Sequence, residues 1–547
     1  MSTSNGLFFL PLGGSAEIGM NLNLYAYQDQ WLMVDLGISF HDSLGLDVIM
    51  PSPQYIVERK EKLLGLLLTH AHEDHIGAIP YLWPQLRCPI YATPYTLHLL
   101  RYKLEEMGLL DEAELHEILL SGKKKIGPFS LQMVSLTHSI PEPNGVLIET
   151  PLGRIFHTGD WKLDPDPLVG EKTDEALLRK IGDEGVLAMV CDSTNVFEAG
   201  VSGSEKEVFD NLLEVIKKYT KERIVVTCFA SNVARLASIA KAAALCGRKV
   251  VAAGRSFKRI EETARRNGYL EDVIPFLKVE EGTNLKPEES LYICTGSQGE
   301  GRSALKRIAS RSFSGITLSE GDVIIFSSRV IPGNERRIGV LKNGLLRQGC
   351  HVITQHHEDI HVSGHPGREE LVQMYEWVRP KIAIPVHGEL RHLIEHGKLA
   401  KKCGVEEVII VDNGSLVKLA PGTAEITEEV PAGYLALDGD AIIRLDHPSL
   451  SERYKLSVNG IVMVSVVVNE DLSIMPDHVQ MSVLGLVNID NAYTIVRDAL
   501  LKALQILSDD DRGNETVLRQ KILSVVRRTF MAHMGKKPMV DVHITYL

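Results

Sequence analysis

The sequence predicts an α/β protein of several domains, one inserted within another and a small one at the C-terminal end. Three observations predict this. Short apolar runs in the first part of the chain end in His and Asp rather than in ordinary turn residues. From about Ser204 the pattern changes to regular strand–helix alternation. After residue 350 the earlier pattern resumes, again with a strand ending at a histidine.

The elements run in order along the chain. Residues 7–12, 22–27 and 31–34 read as strands, with Gly13-Gly14 breaking the first from the second. The apolar run 63–69 reads as a buried strand. Residues 78–86 suggest a short helix, 96–107 and 112–120 read as helices, and Lys123-Lys124-Lys125 reads as a turn. Residues 131–136, 145–149, 155–157 and 186–191 are strand-like, the last ending at Asp192-Ser193-Thr194-Asn195. In the alternating region, 205–219 and 233–246 are helices, and 223–228, 249–252, 291–295 and 323–327 are strands of a separate parallel unit. Strands at 352–354 and 383–386 belong to the resumed pattern. Residues 421–453 form a less regular connection. A last α/β domain has strands at 461–468, 478–483 and 540–546 and helices at 491–507 and 514–533. The expected division is 1–203 and 351–420 for the interrupted domain, 204–350 for the insertion, 421–455 for a linker and 456–547 for the final domain.

Composition narrows the class. A chain of 547 residues implies three or four domains by length alone. Hydrophobic content of 44% and charged content of 24% are those of a globular protein. No apolar stretch reaches the roughly 18 residues of a membrane span, and Met1 to Gly6 show no basic region of a secretory signal, so no membrane association is expected. Seven scattered cysteines without a C-x-x-C pair read as reduced thiols of a cytoplasmic protein. The net charge of -12 argues weakly against nucleic acid, although a local basic groove is compatible with it.

The chemistry is concentrated in His70-Ala71-His72-Glu73-Asp74-His75, directly after the 63–69 run. Three imidazoles and a carboxylate within six residues point to divalent metal. The spacing suits a loop wrapped around two ions and does not fit the zincin helix, which needs His at i and i+4. A dinuclear site needs roughly seven or eight ligand positions. His138, Asp160 and His387 each come directly after a strand, in the same context as His70.

Taken together, Asp35, His70-x-His72-x-Asp74-His75, His138, Thr158-Gly159-Asp160 and His387 resemble the successive motifs of the metallo-β-lactamase fold. The interruption between Asp160 and His387 resembles the β-CASP subfamily, with Asp192, Ser363-Gly364-His365 and Pro385-Val386-His387-Gly388-Glu389 matching its motifs. Phe229-Ala230-Ser231-Asn232, Cys294-Thr295-Gly296-Ser297-Gln298-Gly299-Glu300, Ile331-Pro332-Gly333-Asn334-Glu335 and His361-Val362-Ser363-Gly364-His365 are similar to stretches of the bacterial ribonuclease J family. The family usually has Gly where this chain has Ala71, a small replacement.

The resemblance implies a metallo-β-lactamase αββα sandwich with an inserted β-CASP domain and a small α/β C-terminal domain. It implies two Zn2+ ions, with Mg2+ or Mn2+ as further possibilities in activity. His70, His72 and His138 would hold one zinc, Asp74, His75 and His387 the other, and Asp160 would bridge them. Asp35 would orient a ligand imidazole, and His361 would be structural or stand behind the ligands. The metals would make hydroxide available near pH 7 for attack on phosphorus, with Asp74 counted among the catalytic groups. His365 would protonate the leaving 3′-oxygen, oriented by Asp192.

The implied activities are 5′→3′ exonucleolytic and endonucleolytic cleavage of RNA, the former with a pocket for a 5′-monophosphate. Phe229, Ser231, Asn232, Ser363, Gly364 and His365 are the candidates for contacting RNA and phosphate. Arg255, Lys258, Arg259, Arg265, Arg266, Arg302, Lys306, Arg307, Arg311, Arg329, Arg336 and Arg337 concentrate positive charge in the insertion. The C-terminal domain would support a homodimer or tetramer, and RNA-decay proteins would be partners. The rival readings are a small-ester or lactam hydrolase on the same fold, a DNA-processing β-CASP nuclease, and a non-catalytic RNA-binding subunit.

Overall fold

The structure is a computed structural model and describes residues 4–40, 44–331, 333–487 and 492–547. Pro332, within one of the motifs above, Asn491, the expected start of a helix, and Met1 to Thr3 lie outside the described residues. The chain forms two compact units. One contains the residues up to Phe40 and Val48–Leu435; the other is built mainly from Ala436–Leu547.

The first unit is organised around two facing sheets. The eight-stranded sheet runs, edge to edge, Glu425–Glu429, Ser415–Ala420, Leu7–Gly13, Leu22–Tyr27, Gln30–Val34, Leu63–Leu67, Ile90–Ala92 and Leu115–Glu117. The seven-stranded sheet runs Lys123–Ile126, Phe129–Ser135, Asn144–Thr150, Gly153–His157, Val186–Asp192, Pro380–Val386 and Glu407–Val408. Phe9, Tyr25, Val34 and Leu67 of one sheet meet Met133, Val146, Ile155, Val190 and Ile384 of the other in a single buried cluster. Helices Glu175–Asp183, Arg368–Val378 and Leu390–Lys402 cover the outer face of the second sheet, where Phe156, Met189, Leu178 and Trp377 are buried. Strands buried on both faces explain the near-continuous apolar runs in the sequence. Each fully buried aliphatic or aromatic side chain there stabilises by about 1.5–3 kcal/mol, and Phe156→Ala would cost about 3–5 kcal/mol.

The insertion leaves at the end of Val186–Asp192 and returns into Pro380–Val386. These two strands are adjacent and parallel, with Ala188 opposite Ile382 and Asp192 opposite Val386. The insertion therefore occupies the position of an ordinary crossover between neighbouring parallel strands. It carries its own all-parallel sheet in the order Lys249–Ala253, Ser290–Cys294, Ile224–Thr227, Val323–Phe326 and His351–Ile353. Helix Glu205–Lys217 opens it with a capping box at Ser204 and Glu207.

In the second unit, Ile461–Val468 lies between Gln480–Leu484 and Met539–Tyr546. Val462, Val464, Val466 and Val468 are buried with residues of the helices Ala492–Gln505 and Glu515–Met534, the alternation expected of a strand covered on one face.

Several expectations are corrected. The strand expected at 352–354 does not belong to the resumed pattern: His351–Ile353 pairs in parallel with Val323–Phe326 as the edge of the insertion's sheet. Residues 112–120 are not a helix: Leu115–Glu117 pairs in parallel with Ile90–Ala92 as an edge strand. Lys123-Lys124-Lys125 is not a turn but an edge strand paired with residues 130–132, its lysines marking the sheet edge. The 421–453 region is more regular than expected, with strands Glu425–Glu429, Tyr434–Asp438 and Ala441–Arg444 and the start of helix Pro448–Asn459. For Leu115–Glu117 and Lys123–Ile126, pairing with a neighbouring strand outweighs local composition. All seven cysteines are free thiols. No helix among the described residues is long and apolar enough to cross a membrane.

Candidate metal centre

The sequence-predicted ligands gather at one edge of the sandwich, because their strands all end there. Gln30–Val34 and Leu63–Leu67 are parallel neighbours, so Asp35 and Thr69 emerge side by side. Asp35 takes the Thr69 amide on Oδ1 and the Thr69 hydroxyl on Oδ2, both at 2.8 Å. Asp35 and His387 both have left-handed backbone, at φ 63° and 53°, a strained conformation for non-glycine residues that recurs at functional sites. The His70–His75 run is only partly a loop: Glu73–Ile76 forms one helical turn, which presents Asp74 and His75. Gly37 permits this turn to approach, since a Cβ there would lie 1.7 Å from the Asp74 carbonyl oxygen.

Two sets of ligand atoms converge. In the first, His72 Nδ1 lies 3.1 Å from His70 Nε2 and 3.0 Å from His138 Nε2. Asp160 Oδ2 is 3.9 Å from both His70 Nε2 and His138 Nε2. Tetrahedral nitrogen ligands about 2.0–2.1 Å from a zinc would be about 3.3 Å apart, so this donor set fits one cation. In the second set, Asp160 Oδ2 is 3.2 Å from His75 Nε2, and Asp74 Oδ2 is 3.2 Å from His387 Nε2. His75 Nε2 to Asp74 Oδ2 and His387 Nε2 to Asp160 Oδ1 are both 3.7 Å. Within each set the ligand atoms all lie within 4.8 Å of one another. Asp160 belongs to both.

Hydrogen bonds behind the imidazoles fix which nitrogen faces inward. The Thr69 hydroxyl donates to Asp35 and can accept from His70 Nδ1 at 3.0 Å. His75 Nδ1 is 2.7 Å from Asp35 Oδ2. The Thr194 hydroxyl donates to Asp192 Oδ1 at 2.7 Å and accepts from His387 Nδ1 at 2.7 Å. His138 Nδ1 lies 2.5 Å from the Gly364 carbonyl oxygen. Each arrangement holds a proton on Nδ1 and leaves Nε2 free as a ligand.

The electrostatics divide the centre. Burial, reinforced by His75 and His72, holds His70 well below the usual imidazole range. Burial lowers His72 to about 4 and His138 well below its usual value. These three are neutral, the form that binds metal. Burial also opposes charge on His75 and His387, but Asp160 and its carboxylate neighbours prevail, raising His75 strongly and His387 to about 9. Asp74 and Asp160 are correspondingly held low against the effect of burial. The carboxylates thus demand positive charge, which a divalent cation would supply in place of those protons.

Next to this centre, His365 Nδ1 lies 2.7 Å from Asp192 Oδ2. Burial opposes its protonation, but Asp192 and Asp160 raise its pKa. Asn195 Nδ2 donates to Ser363 Oγ at 2.7 Å and to the His365 carbonyl at 3.1 Å. Ser363 Oγ also accepts the His365 amide, so its own proton is left to donate outward. Phe229 and Ser231 are half-buried at the end of Ile224–Thr227.

Asn232 differs from its expected role as a phosphate contact. It is 5% exposed, its Oδ1 caps helix Val233–Leu245 and its Nδ2 donates to Glu205. His361 stands apart from the ligand sets, its Nδ1 3.3 Å from Arg235. Of the basic residues in the insertion, Arg259, Arg265 and Arg329 are paired with Glu106, Glu261 and Glu198, whereas Arg255, Arg266 and Arg336 are exposed and have no such ion pair among the described residues. Thr69, Thr194 and Asn195 were missed by sequence reasoning. Their only signal was adjacency to His70 and Asp192.

Four family models match successive parts of the chain. They are the metallo-beta-lactamase superfamily over residues 21–189, the ribonuclease J beta-CASP domain over 221–345, a Zn-dependent metallo-hydrolase RNA specificity domain over 351–411, and the ribonuclease J C-terminal domain over 448–547. The chain is 42% identical to a ribonuclease J of Sinorhizobium meliloti, over 100% of this chain and 98% of that one. It is 36% identical to one from Mycolicibacterium smegmatis over 98% and 96%, and 37% identical to one from Thermus thermophilus over 84% and 82%. A crystal structure of an Enterococcus faecalis protein of unknown function shares the fold, with a TM-score of 0.53 at 17% identity, over 76% of this chain and 100% of that one.

Proposed function

The chain belongs to the ribonuclease J family, and from that premise we propose that it holds two zinc ions, degrades RNA 5′→3′ from a 5′-monophosphate end and also cleaves RNA internally. Family membership makes it a metal-dependent ribonuclease acting on RNA. The carrying observation is the pair of convergent donor sets sharing Asp160, with the His365–Asp192 pair beside them.

In this reading His70, His72, His138 and Asp160 hold one cation, and Asp74, His75, His387 and Asp160 the other. When bound, the cations would supply an acidified water and neutralise charge on the phosphodiester. Asp35, Thr69, Thr194 and the Gly364 carbonyl keep the ligand imidazoles in the right tautomer. Asp192 retains the His365 Nδ1 proton, so Nε2–H is the one handed to the leaving 3′-oxygen. Asp74 is catalytic only through the cation it holds.

Ser231, Ser363 and the Gly364 turn take the 5′-phosphate through small donors, and Phe229 stacks on the terminal base. Arg255, Arg266 and Arg336 hold the RNA backbone. The insertion, expected over residues 204–350, has its own parallel sheet in this reading, whose edge strand His351–Ile353 carries it slightly past that bound. The C-terminal sheet carries Met463 and Leu484, 37% and 56% exposed, which suits a dimer or tetramer contact in a cytoplasmic enzyme.

One experiment tests activity and polarity together. End-labelled RNA with a 5′-monophosphate or 5′-triphosphate is incubated with the protein and zinc, magnesium or manganese. Mononucleotides released from the monophosphate form alone, with some internal fragments, are expected. Equal release from both ends would overturn the 5′-pocket, and intact RNA with every metal would overturn the enzyme reading.

A further inference from the structure

We propose that Arg235, on a helix of the inserted domain, is a positioning residue for the metal centre: it holds the 360–365 segment against His138 and so sets the placement of His365. The inference rests on the reading of the centre given above.

Arg235 is 1% exposed, although it always carries a charge. Such burial is costly unless every donor is used, and here each guanidinium nitrogen has a partner. Nε and Nη2 donate to the two oxygens of Glu205 at 3.1 and 3.0 Å. Nη1 reaches the Ser327 carbonyl and hydroxyl at 2.8 Å each, the Ile360 carbonyl at 3.4 Å and His361 Nδ1 at 3.3 Å. The Ser327 hydroxyl adds a 2.7 Å bond to the same Ile360 carbonyl. The start of the segment is therefore gripped twice, and His361 Nδ1 must be an acceptor.

Three residues further on, the Gly364 carbonyl meets His138 Nδ1. The approach has no slack: a Cβ on Gly364 would lie 2.6 Å from His138 Cε1. The other side of Arg235 leads back to the same histidine. The Glu205 amide donates to Asp164 Oδ2 at 3.0 Å, Lys162 Nζ pairs with that oxygen at 3.0 Å, and the Lys162 amide donates to the Thr137 carbonyl at 2.7 Å. Thr137 precedes His138. A closed polar circuit thus joins the inserted domain to both sides of one ligand, and Arg235 is the cation in it that touches the 360–365 segment.

The test uses the full chain and its Arg235→Gln, Arg235→Lys and Ser327→Ala variants. Zinc affinity is read by competition with a chromophoric chelator, and kcat and KM on 5′-monophosphate RNA at saturating metal. With Arg235→Gln, zinc affinity is expected to fall about tenfold and kcat about a hundredfold, with KM changing far less. Arg235→Lys should recover part of both, and Ser327→Ala should show a smaller loss of the same kind. In a His365→Ala background the same substitutions should lower kcat no further, since they act through His365. Losses equal in both backgrounds, or unchanged zinc affinity and kcat, overturn the proposal. Should Arg235→Gln not fold, Arg235→Lys and Ser327→Ala decide by the same comparisons. If the unaltered protein does not cleave RNA, the functional reading fails, while the zinc competition still tests Arg235.

Discussion

Thr194 binds His387 to Asp192: its hydroxyl lies 2.7 Å from His387 Nδ1 and 2.7 Å from Asp192 Oδ1. One hydroxyl thus fixes the tautomer of a candidate ligand imidazole and braces the carboxylate that orients His365. Thr194→Val keeps the shape and removes both bonds. Metal affinity or activity is expected to fall about tenfold to a hundredfold, measured by chelator competition and RNA cleavage. An unchanged affinity and rate would show that His387 needs no such partner.

Asp160 is shared by both donor sets, whereas His72 belongs to one. Asp160→Ala is therefore expected to leave the purified protein with neither metal tightly bound, and His72→Ala to lose one of the two. Elemental analysis after dialysis reads the difference. Equal metal loss in the two variants would contradict a shared carboxylate. RNA cleavage should be lost in both.

Gly364→Ala places a methyl group 2.6 Å from His138 Cε1 and 2.8 Å from Nδ1. The segment carrying His365 must shift, and a displacement of about 1 Å is enough to cost about a hundredfold in rate. The cleavage rate should collapse while the melting temperature stays close to that of the unaltered protein. A rate within about twofold would mean that the segment has room the geometry does not show.

The buried Glu205–Arg235 pair makes stability depend on acid. Burial raises the Glu205 pKa, but Arg235 and Lys162, with the hydrogen bonds from Arg235 and Asn232, outweigh it and hold it below the ordinary 4.5. A carboxyl lowered in the folded state stabilises fully above its unfolded pKa, and that contribution is lost as pH falls through the folded value. Glu205→Gln leaves Arg235 buried without its counter-charge and is expected to cost about 3–5 kcal/mol at neutral pH. In urea titrations the gap from the unaltered protein should narrow below about pH 4. A gap that is constant with pH would assign the loss to packing.

Much of the architecture is legible in the chain because burial writes it there. Strands covered on both faces must be apolar, so Leu63–Leu67, Val186–Asp192 and Ile224–Thr227 stand out. Edge strands carry no such mark: Lys123–Ile126 and Leu115–Glu117 are mostly polar, and only their pairing with Phe129–Ser135 and Ile90–Ala92 makes them strands. The ligand-rich run His70–His75 is legible because metal-binding side chains rarely crowd together otherwise. Thr69, Thr194 and Asn195 are not, since threonine and asparagine are ordinary at strand ends. Asn232 misleads for the converse reason, its amide being occupied by helix Val233–Leu245 and Glu205.

Residue chemistry and spacing alone therefore mark the His70–His75 run as metal-binding in kind, the buried segments, and the change of pattern that sets one domain within another, while the full ligand set comes only from resemblance to a family. Folding settles how those side chains serve one another. Thr194 meets His387 across 193 positions, and Gly364 meets His138 across 226. The first pair arises because Val186–Asp192 and Pro380–Val386 are adjacent parallel strands that end together, and the second because the segment returning from the insertion passes the end of Phe129–Ser135, consequences of three-dimensional packing that no local pattern encodes.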